Sequence, residues 1–399
     1  MRDMGGERVQ EAVAGSVALL RTAVGKDWDT VKAARSEWSC REAAVHIAHD
    51  LIVYAGRLAA RGRTAHVPLT VTPDATAGNE GLLEAVETTG TLFTATLRTT
   101  PRHVRAHHPC PYFSANADGF AALGVGEVLL HTYDIAEALG LAYEPPAELA
   151  EFALTRLLPH VRPGPTPWAT LLWATGRGTL PDRAPVTDWH WINHLVLPAG
   201  RLTLESLTPA AAADLAAGGD GGYTWAPGGP YDGTREASGM LLKAYEAGMH
   251  RPEFGVFVLV REEDDRAVGA LGFHGAPDEE GRVEIGYDLA ESARGNGYAT
   301  EALRALSRWA LARDDVHTLL ATIDRANLPS QAVVTRAGFV RATPEEERAM
   351  GERREADGPL HVYLLSAPAL SSGGPAAGPS GPSAGAVPLR SAAAPRPGC

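Results

Sequence analysis

Apolar residues recur at intervals of three and four through the first 140 positions. Val9, Val13, Val17 and Leu20 make one stripe, which stops at Gly25. Ser39 followed by Glu42 reads as a capping box, and behind it Val45, Ala48, Leu51, Ile52, Tyr54 and Ala55 form a broad apolar face ending near Gly62. Leu82, Val86, Phe93 and Leu97 predict a third helix. Positions 120–139, carrying Val125, Val128, Leu129, Thr132, Ile135 and Ala136, predict a fourth. Four amphipathic helices with no strand pattern between them predict an all-α four-helix bundle.

Pro181-Asp182-Arg183-Ala184-Pro185 interrupts any regular element, and the texture changes beyond it. Positions 201–207 alternate like a strand. Thr208-Pro209 opens an alanine-rich helix, 218–233 is a glycine-rich loop, and 237–248 reads as another helix. Strand patterns follow at 255–260, 267–273 and 283–289, then a helix at 300–313, a strand at 317–323, a helix from Asn327 to Gly338 and a strand at 360–365. Helices interspersed among strands of one sheet predict an α/β domain. The division is therefore 1–195, 200–367, and a Gly-, Pro-, Ala- and Ser-rich tail at 370–399 whose composition predicts disorder.

A chain of 399 residues with 45% hydrophobic and 21% charged residues supports two cores of this kind. The formal net charge of −12 argues against nucleic acid or an anionic membrane surface as partner. Cys40, Cys110 and Cys399 are too few for a disulfide framework, and no CxxC pair exists. The first residues lack the apolar core of a signal peptide and no run reaches membrane-spanning length, so the expected location is cytoplasmic.

Two places carry chemistry. Arg294-Gly295-Asn296-Gly297-Tyr298-Ala299 sets two glycines one residue apart just before a helix, so several N–H groups and the helix's positive end can face one anion. A glycine-rich turn also serves simply to connect elements. In the first half, Glu127 and His131 are four apart on one helical face, and His46, with His49 a turn later, lies on another helix. Spacing leaves two readings open: ligands for zinc or a related divalent ion, or an ion-paired carboxylate with structural histidines. His190 and His194 have the same spacing, but the prolines near them argue against a helix there.

The Arg-x-x-Gly-x-Ala turn, the preceding Glu284-Ile285-Gly286-Tyr287 and Asn327-x-x-Ser330 leading to Ala337-Gly338-Phe339 resemble the GNAT-type N-acetyltransferases over residues 201 to about 366. The resemblance implies acetyl-CoA as cofactor. Arg294, Gly295, Asn296, Gly297, Tyr298 and Ala299 would hold its pyrophosphate, the strand around Leu289 its pantetheine arm, and Asn327 and Ser330 the far end of that arm. The implied reaction is acyl transfer to an amine, with Glu284 the candidate base, acting through a water. The competing reading of Glu284 is a strand carboxylate paired with Arg282 or another cation. One departure is Val334, where many members place the tyrosine that protonates the leaving thiolate. The acceptor, a peptide N-terminus, a polyamine or another small amine, is not written in the sequence.

Residues 38–46 and 126–134 resemble the signature helices of the DinB-like bundles, in particular the N-terminal domain of mycothiol-dependent maleylpyruvate isomerases. That resemblance implies a divalent metal, zinc foremost, on His46, Glu127 and His131, with His49 behind them and Asp134 orienting His131. It also implies a low-molecular-weight thiol as partner. The rival whole-chain reading is accordingly a metal- and thiol-dependent transferase or isomerase whose second half only senses CoA, and a third is a binding protein with two relic sites. Pro167-Trp168 and 171–177 are expected to close off the bundle by packing.

Overall fold

The computed structural model describes residues 4–366 apart from 63–66, 69, 71–73, 75, 102–103, 109–114, 193–194, 344 and 347–359. The tail expected at 370–399, with Cys110, Cys399 and His194, lies outside the described residues.

The first half is helical: α1 Met4–Arg21, α2 Cys40–Ala60, α3 Asn79–Thr99, α4 Ala117–Ala138, α5 Ala147–Leu157 and α6 Pro167–Ala174. The capping box forms as the sequence predicts, with Ser39 Oγ accepting from the Glu42 N–H at 3.2 Å and the Glu42 carboxylate accepting from the Ser39 N–H at 2.7 Å. Helices α1 and α2 each pack against both α3 and α4. Helix α4 is buried along almost its whole length because α5 covers the side the others leave, which explains why its sequence is apolar nearly all round. Close approach is made at Gly124, where a Cβ would stand 2.6 Å from Phe93 Cε1. Before α4, the short strands β1 Arg105–Ala106 and β2 Ala115–Asn116 pair antiparallel. Helix α6 contributes Trp168 and Leu171 to the same core, as expected.

The second half is one eight-stranded sheet built from β3 Val196–Ala199, β4 Leu202–Ser206, β5 Val256–Arg261, β6 Ala267–Phe273, β7 Arg282–Leu289, β8 Thr318–Asp324, β9 Val340–Arg341 and β10 Leu360–Ser366, in the order β3-β4-β5-β6-β7-β8-β10-β9. All neighbours are antiparallel except β7 and β8. The sequence pattern predicts the first strand at 201; β3 precedes it. Its Pro198 has no N–H to give, which an edge strand tolerates. Helices α7 Pro209–Ala216 and α8 Asp232–Glu246 cover one face of the sheet, and α9 Tyr298–Leu311 and α10 Leu328–Ala337 the other. Among the described residues no helix is long and apolar enough to cross a membrane.

His250, between α8 and β5, is buried with Nε2 unpartnered. Burial, reinforced by nearby His160 and only partly offset by Glu253, pushes its pKa from 6.5 down to about 4. The folded state therefore binds this proton less readily than the unfolded chain. No penalty exists above pH 6.5; it grows as pH falls through the unfolded value and levels off below about 4, reaching about 3 kcal/mol. Urea titrations of His250→Gln are expected to lose this part of the acid destabilisation between pH 7 and pH 4.

Candidate functional site

Strands β7 and β8 run parallel only at their starts, where Arg282, Val283 and Glu284 face Thr318, Leu319 and Leu320. Beyond Glu284 they part. β7 continues to Leu289 against β6, and β8 continues to Asp324 against β10. Among the described residues the edge of β7 from Ile285 to Leu289 thus has no strand partner on that side, offering backbone groups to an extended ligand.

That edge runs through a short 3-10 turn, Glu291–Ala293, into the glycine turn ahead of α9. Gly295 and Gly297 have φ of +78° and +83°, the left-handed region in which glycine is unstrained. The Arg294 N–H is bonded to Glu291 and the Glu301 N–H to Gly297. Among the described residues the N–H groups of Gly295 to Thr300 have no protein acceptor. The Thr300 hydroxyl is likewise buried and unpartnered.

Side chains brace the turn from outside. Asn296 Nδ2 donates to the carbonyls of Ala293 and Arg294, both at 3.1 Å. Arg201 lies over the Tyr298 ring, donates to the Asn296 carbonyl at 2.9 Å and pairs with Glu301 at 2.8 Å. Arg294 Nε reaches back to the Leu289 carbonyl at 3.3 Å. Leu289 and the turn from Arg294 to Ala299 are therefore tied together along one stretch of chain. Asn327 and Ser330 open α10, where the Asn327 side chain caps the helix by accepting from the Ser330 N–H at 3.1 Å. They connect to β7 through Tyr287, whose hydroxyl donates to the Ser330 carbonyl at 3.1 Å. Val334 is fully buried in the core.

Glu284 is the last β7 residue paired to β8. Arg282, its competing partner on sequence grounds, is occupied by Asp278 at 3.0 Å and Glu280 at 2.8 Å. Glu284 Oε2 instead lies 3.6 Å from His274 Nδ1. On the α8 side a cavity of about 450 Å³ is lined by His274, Thr234, Met240, Phe273 and Asp288 among others. Burial raises the pKa of Asp288, whose Oδ1 accepts from the Thr234 hydroxyl at 2.7 Å and the Ala270 N–H at 3.2 Å. Sequence reasoning missed His274 and Asp288. Both become visible only through the β6–β7 register, which sets Ala270 opposite Asp288 and bonds the His274 N–H to the Glu284 carbonyl at 2.9 Å.

A second cluster lies in the helical half. His46 of α2 and Glu127 and His131 of α4 bring three donor atoms within 4.8 Å of one another. His131 Nε2 is 3.1 Å from Glu127 Oε2. His46 Nε2 faces Asp50 at 3.3 Å and Glu127 at 3.7 Å without a well-aligned hydrogen bond to either. Burial works against every charge here. It keeps the His131 pKa below its usual value despite Glu127; in Glu127 the two histidines overcome it and hold the carboxylate ionised; in His46 Glu127 and Asp50 overcome it. Asp50, beside His46, is pushed up to about 7 by burial. Asp134 stands 3.7 Å from His131 Nδ1 and is clamped by Arg177, with Nη2 at 2.8 Å and Nε at 3.1 Å. Trp38 walls the cluster, its ring 4.6 Å from that of His46 and 5.7 Å from that of His131. His49 is not part of the donor set.

Residues 201–340 match the family described as the acetyltransferase (GNAT) domain. The uncharacterized N-acetyltransferase YjdG of Bacillus subtilis (strain 168) is 38% identical over 87 residues, 22% of this chain and 52% of that protein. The uncharacterized N-acetyltransferase p20 of Bacillus licheniformis is 30% identical over 111 residues, 28% of this chain and 60% of that protein. The chain thus spans between half and two thirds of the curated relatives it matches. The crystal structure of an acetyltransferase from Agrobacterium tumefaciens str. C58 aligns at 26% identity and a TM-score of 0.30, over 43% of this chain and 94% of that one.

Proposed function

We propose that the GNAT acetyltransferase domain carried by the C-terminal half works as an acetyl-CoA-dependent N-acetyltransferase on a primary amine, of a small molecule or a peptide N-terminus. One observation carries this reading. Among the described residues the edge of β7 beyond Glu284 has no partner, and it leads through one short turn to six successive N–H groups, Gly295 to Thr300, that have no protein acceptor. In this reading Gly295 to Ala299 hold the pyrophosphate, with Arg294 bridging the turn to the strand end. The edge at Leu289 pairs with the pantetheine arm, whose far end meets the start of α10 at Asn327 and Ser330. Asn327 acts there through the helix it caps, since its side-chain oxygen is already engaged. Glu284 supplies the negative charge that draws the proton off the acceptor amine.

Titration calorimetry of the full chain with acetyl-CoA is expected to give one saturable site, and amines are expected to release free CoA thiol in its presence. A folded protein that binds no acetyl-CoA would overturn the reading.

The donor cluster of α2 and α4 favours a second activity alongside the first. We infer that α1 to α4 form a DinB-like bundle holding a divalent ion on His46, Glu127 and His131. Two imidazoles and one ionised carboxylate suit zinc, and the unpartnered His46 Nε2 is the kind of buried atom a metal satisfies. The ion would supply Lewis acidity toward a low-molecular-weight thiol. The chain's own part is to fix His131 through Asp134 and Arg177 and to screen the site with Trp38.

A further inference from the structure

We propose that His274 is the group that takes the proton from the acceptor, with Glu284 holding it in place, and that the cavity between α8 and strands β6 and β7 receives an amine with an apolar substituent. This rests on the acetyltransferase reading and extends it to the acceptor. Glu284 does not itself line the cavity, and its side chain is 16% exposed. His274 does line it, with a side chain 41% exposed and Nδ1 turned to Glu284 Oε2 at 3.6 Å.

The other ring nitrogen, Nε2, rides over Gly286, where a Cβ would come within 2.7 Å of it. A side chain at 286 would push the ring out of this position. The imidazole therefore stands between the carboxylate and the cavity, next to the point where β7 and β8 part and where a thioester lying along β7 would end. Separations of this kind shorten when substrate binds.

The walls of the cavity specify the acceptor. Leu241, Phe254, Leu271 and Phe273 line it, and Met240 and Met249, 54% and 72% exposed, stand at its rim. Methionines adapt to apolar groups of varied shape. Besides His274, the titratable and charged groups around it are Glu236 of α8, His250 and Arg251 ahead of β5, and Tyr287 and Asp288 of β7. With Arg251 paired to Glu253 and Asp315, Glu236 and the partly buried Asp288 suit an ammonium better than an acidic amino compound.

His274 accepts one proton from R–NH3+, and the freed amine forms a C–N bond at the thioester carbonyl. As the C–S bond breaks, the nitrogen's second proton passes to the sulfur. Acetamide and CoA thiol leave, and the imidazolium returns its proton to solvent.

The test uses the full chain with acetyl-CoA and 2-phenylethylamine, with aspartate as the acidic comparison, followed by CoA-thiol release. Phenylethylamine is expected to be the better acceptor. His274→Gln is expected to lower its kcat/KM about 100-fold at pH 7 and to remove the acidic limb of the pH profile, with acetyl-CoA affinity unchanged within twofold. Glu284→Gln is expected to cost about tenfold in kcat/KM with acetyl-CoA affinity unchanged within twofold, and Glu284→Asp less than that. A wild-type protein that binds acetyl-CoA but prefers aspartate overturns the acceptor assignment. His274→Gln within threefold of wild type, with its limb intact, overturns the role of His274. Absence of acetyl-CoA binding fails the underlying reading instead.

Discussion

Gly297→Asp is expected to weaken acetyl-CoA binding by at least about 100-fold, a loss of roughly 2.7 kcal/mol. The residue sits at φ +83° as the N-cap of α9, and a Cβ there would meet nothing nearer than Arg201 Nη2 at 3.7 Å. The substituted chain can therefore fold. Aspartate is among the residues that tolerate the left-handed region, at a cost of about 1 kcal/mol. Its carboxylate would lie among the N–H groups of Gly295 to Thr300, accept from them as a helix cap does, and repel a pyrophosphate arriving at the same place. Gly297→Ala separates strain from charge: it imposes the backbone cost alone and is expected to weaken binding only several-fold. Calorimetry on both variants, with circular dichroism to check folding, decides the matter. Undiminished binding by Gly297→Asp removes the turn from the cofactor site.

The turn was legible because everything it needs is local: two glycines, an arginine before them and a helix immediately after. The capping box at Ser39 and Glu42 and the apolar stripe of α1 were legible for the same reason, and each forms where the periodicity puts it. Edge strand β3 escaped because Pro198 reads as a break until its position at the rim of the sheet is known. Helix α5 escaped because its own stripe is short and follows two prolines, Pro145 and Pro146. His274 and Asp288 depend on strand register between residues up to eighteen apart, and Arg177 depends on a contact with Asp134, 43 residues away. Helical spacing put Glu127 and His131 on one face but said nothing about His46, which only the packing of α2 against α4 brings within reach. Local chemistry was written in the sequence, while the groups that orient it were set by tertiary contacts.

The cluster of His46, Glu127 and His131 gives the other large expected effect, and a graded series tests it. Wild-type protein reconstituted with zinc is expected to hold about one equivalent by elemental analysis, and His131→Ala and Glu127→Ala almost none. Losing Glu127 would remove the one carboxylate among the three donors and leave two imidazoles to hold a divalent ion. Arg177→Ala touches no donor atom. It frees Asp134, whose carboxylate stands 3.7 Å from His131 Nδ1, so the ring that carries the donor Nε2 loses its brace. Affinity is expected to fall 10- to 100-fold while stoichiometry at saturating zinc is kept. Stability should follow by mass action. At free zinc 1,000-fold above the dissociation constant, the folded helical half gains about 4 kcal/mol, so a chelator is expected to lower its melting temperature in the wild type and to leave His131→Ala unmoved. If His131→Ala retains a full equivalent of zinc, the ion sits elsewhere and the three residues are a structural ion-pair cluster. If Arg177→Ala binds as tightly as wild type, the clamp on Asp134 serves packing alone.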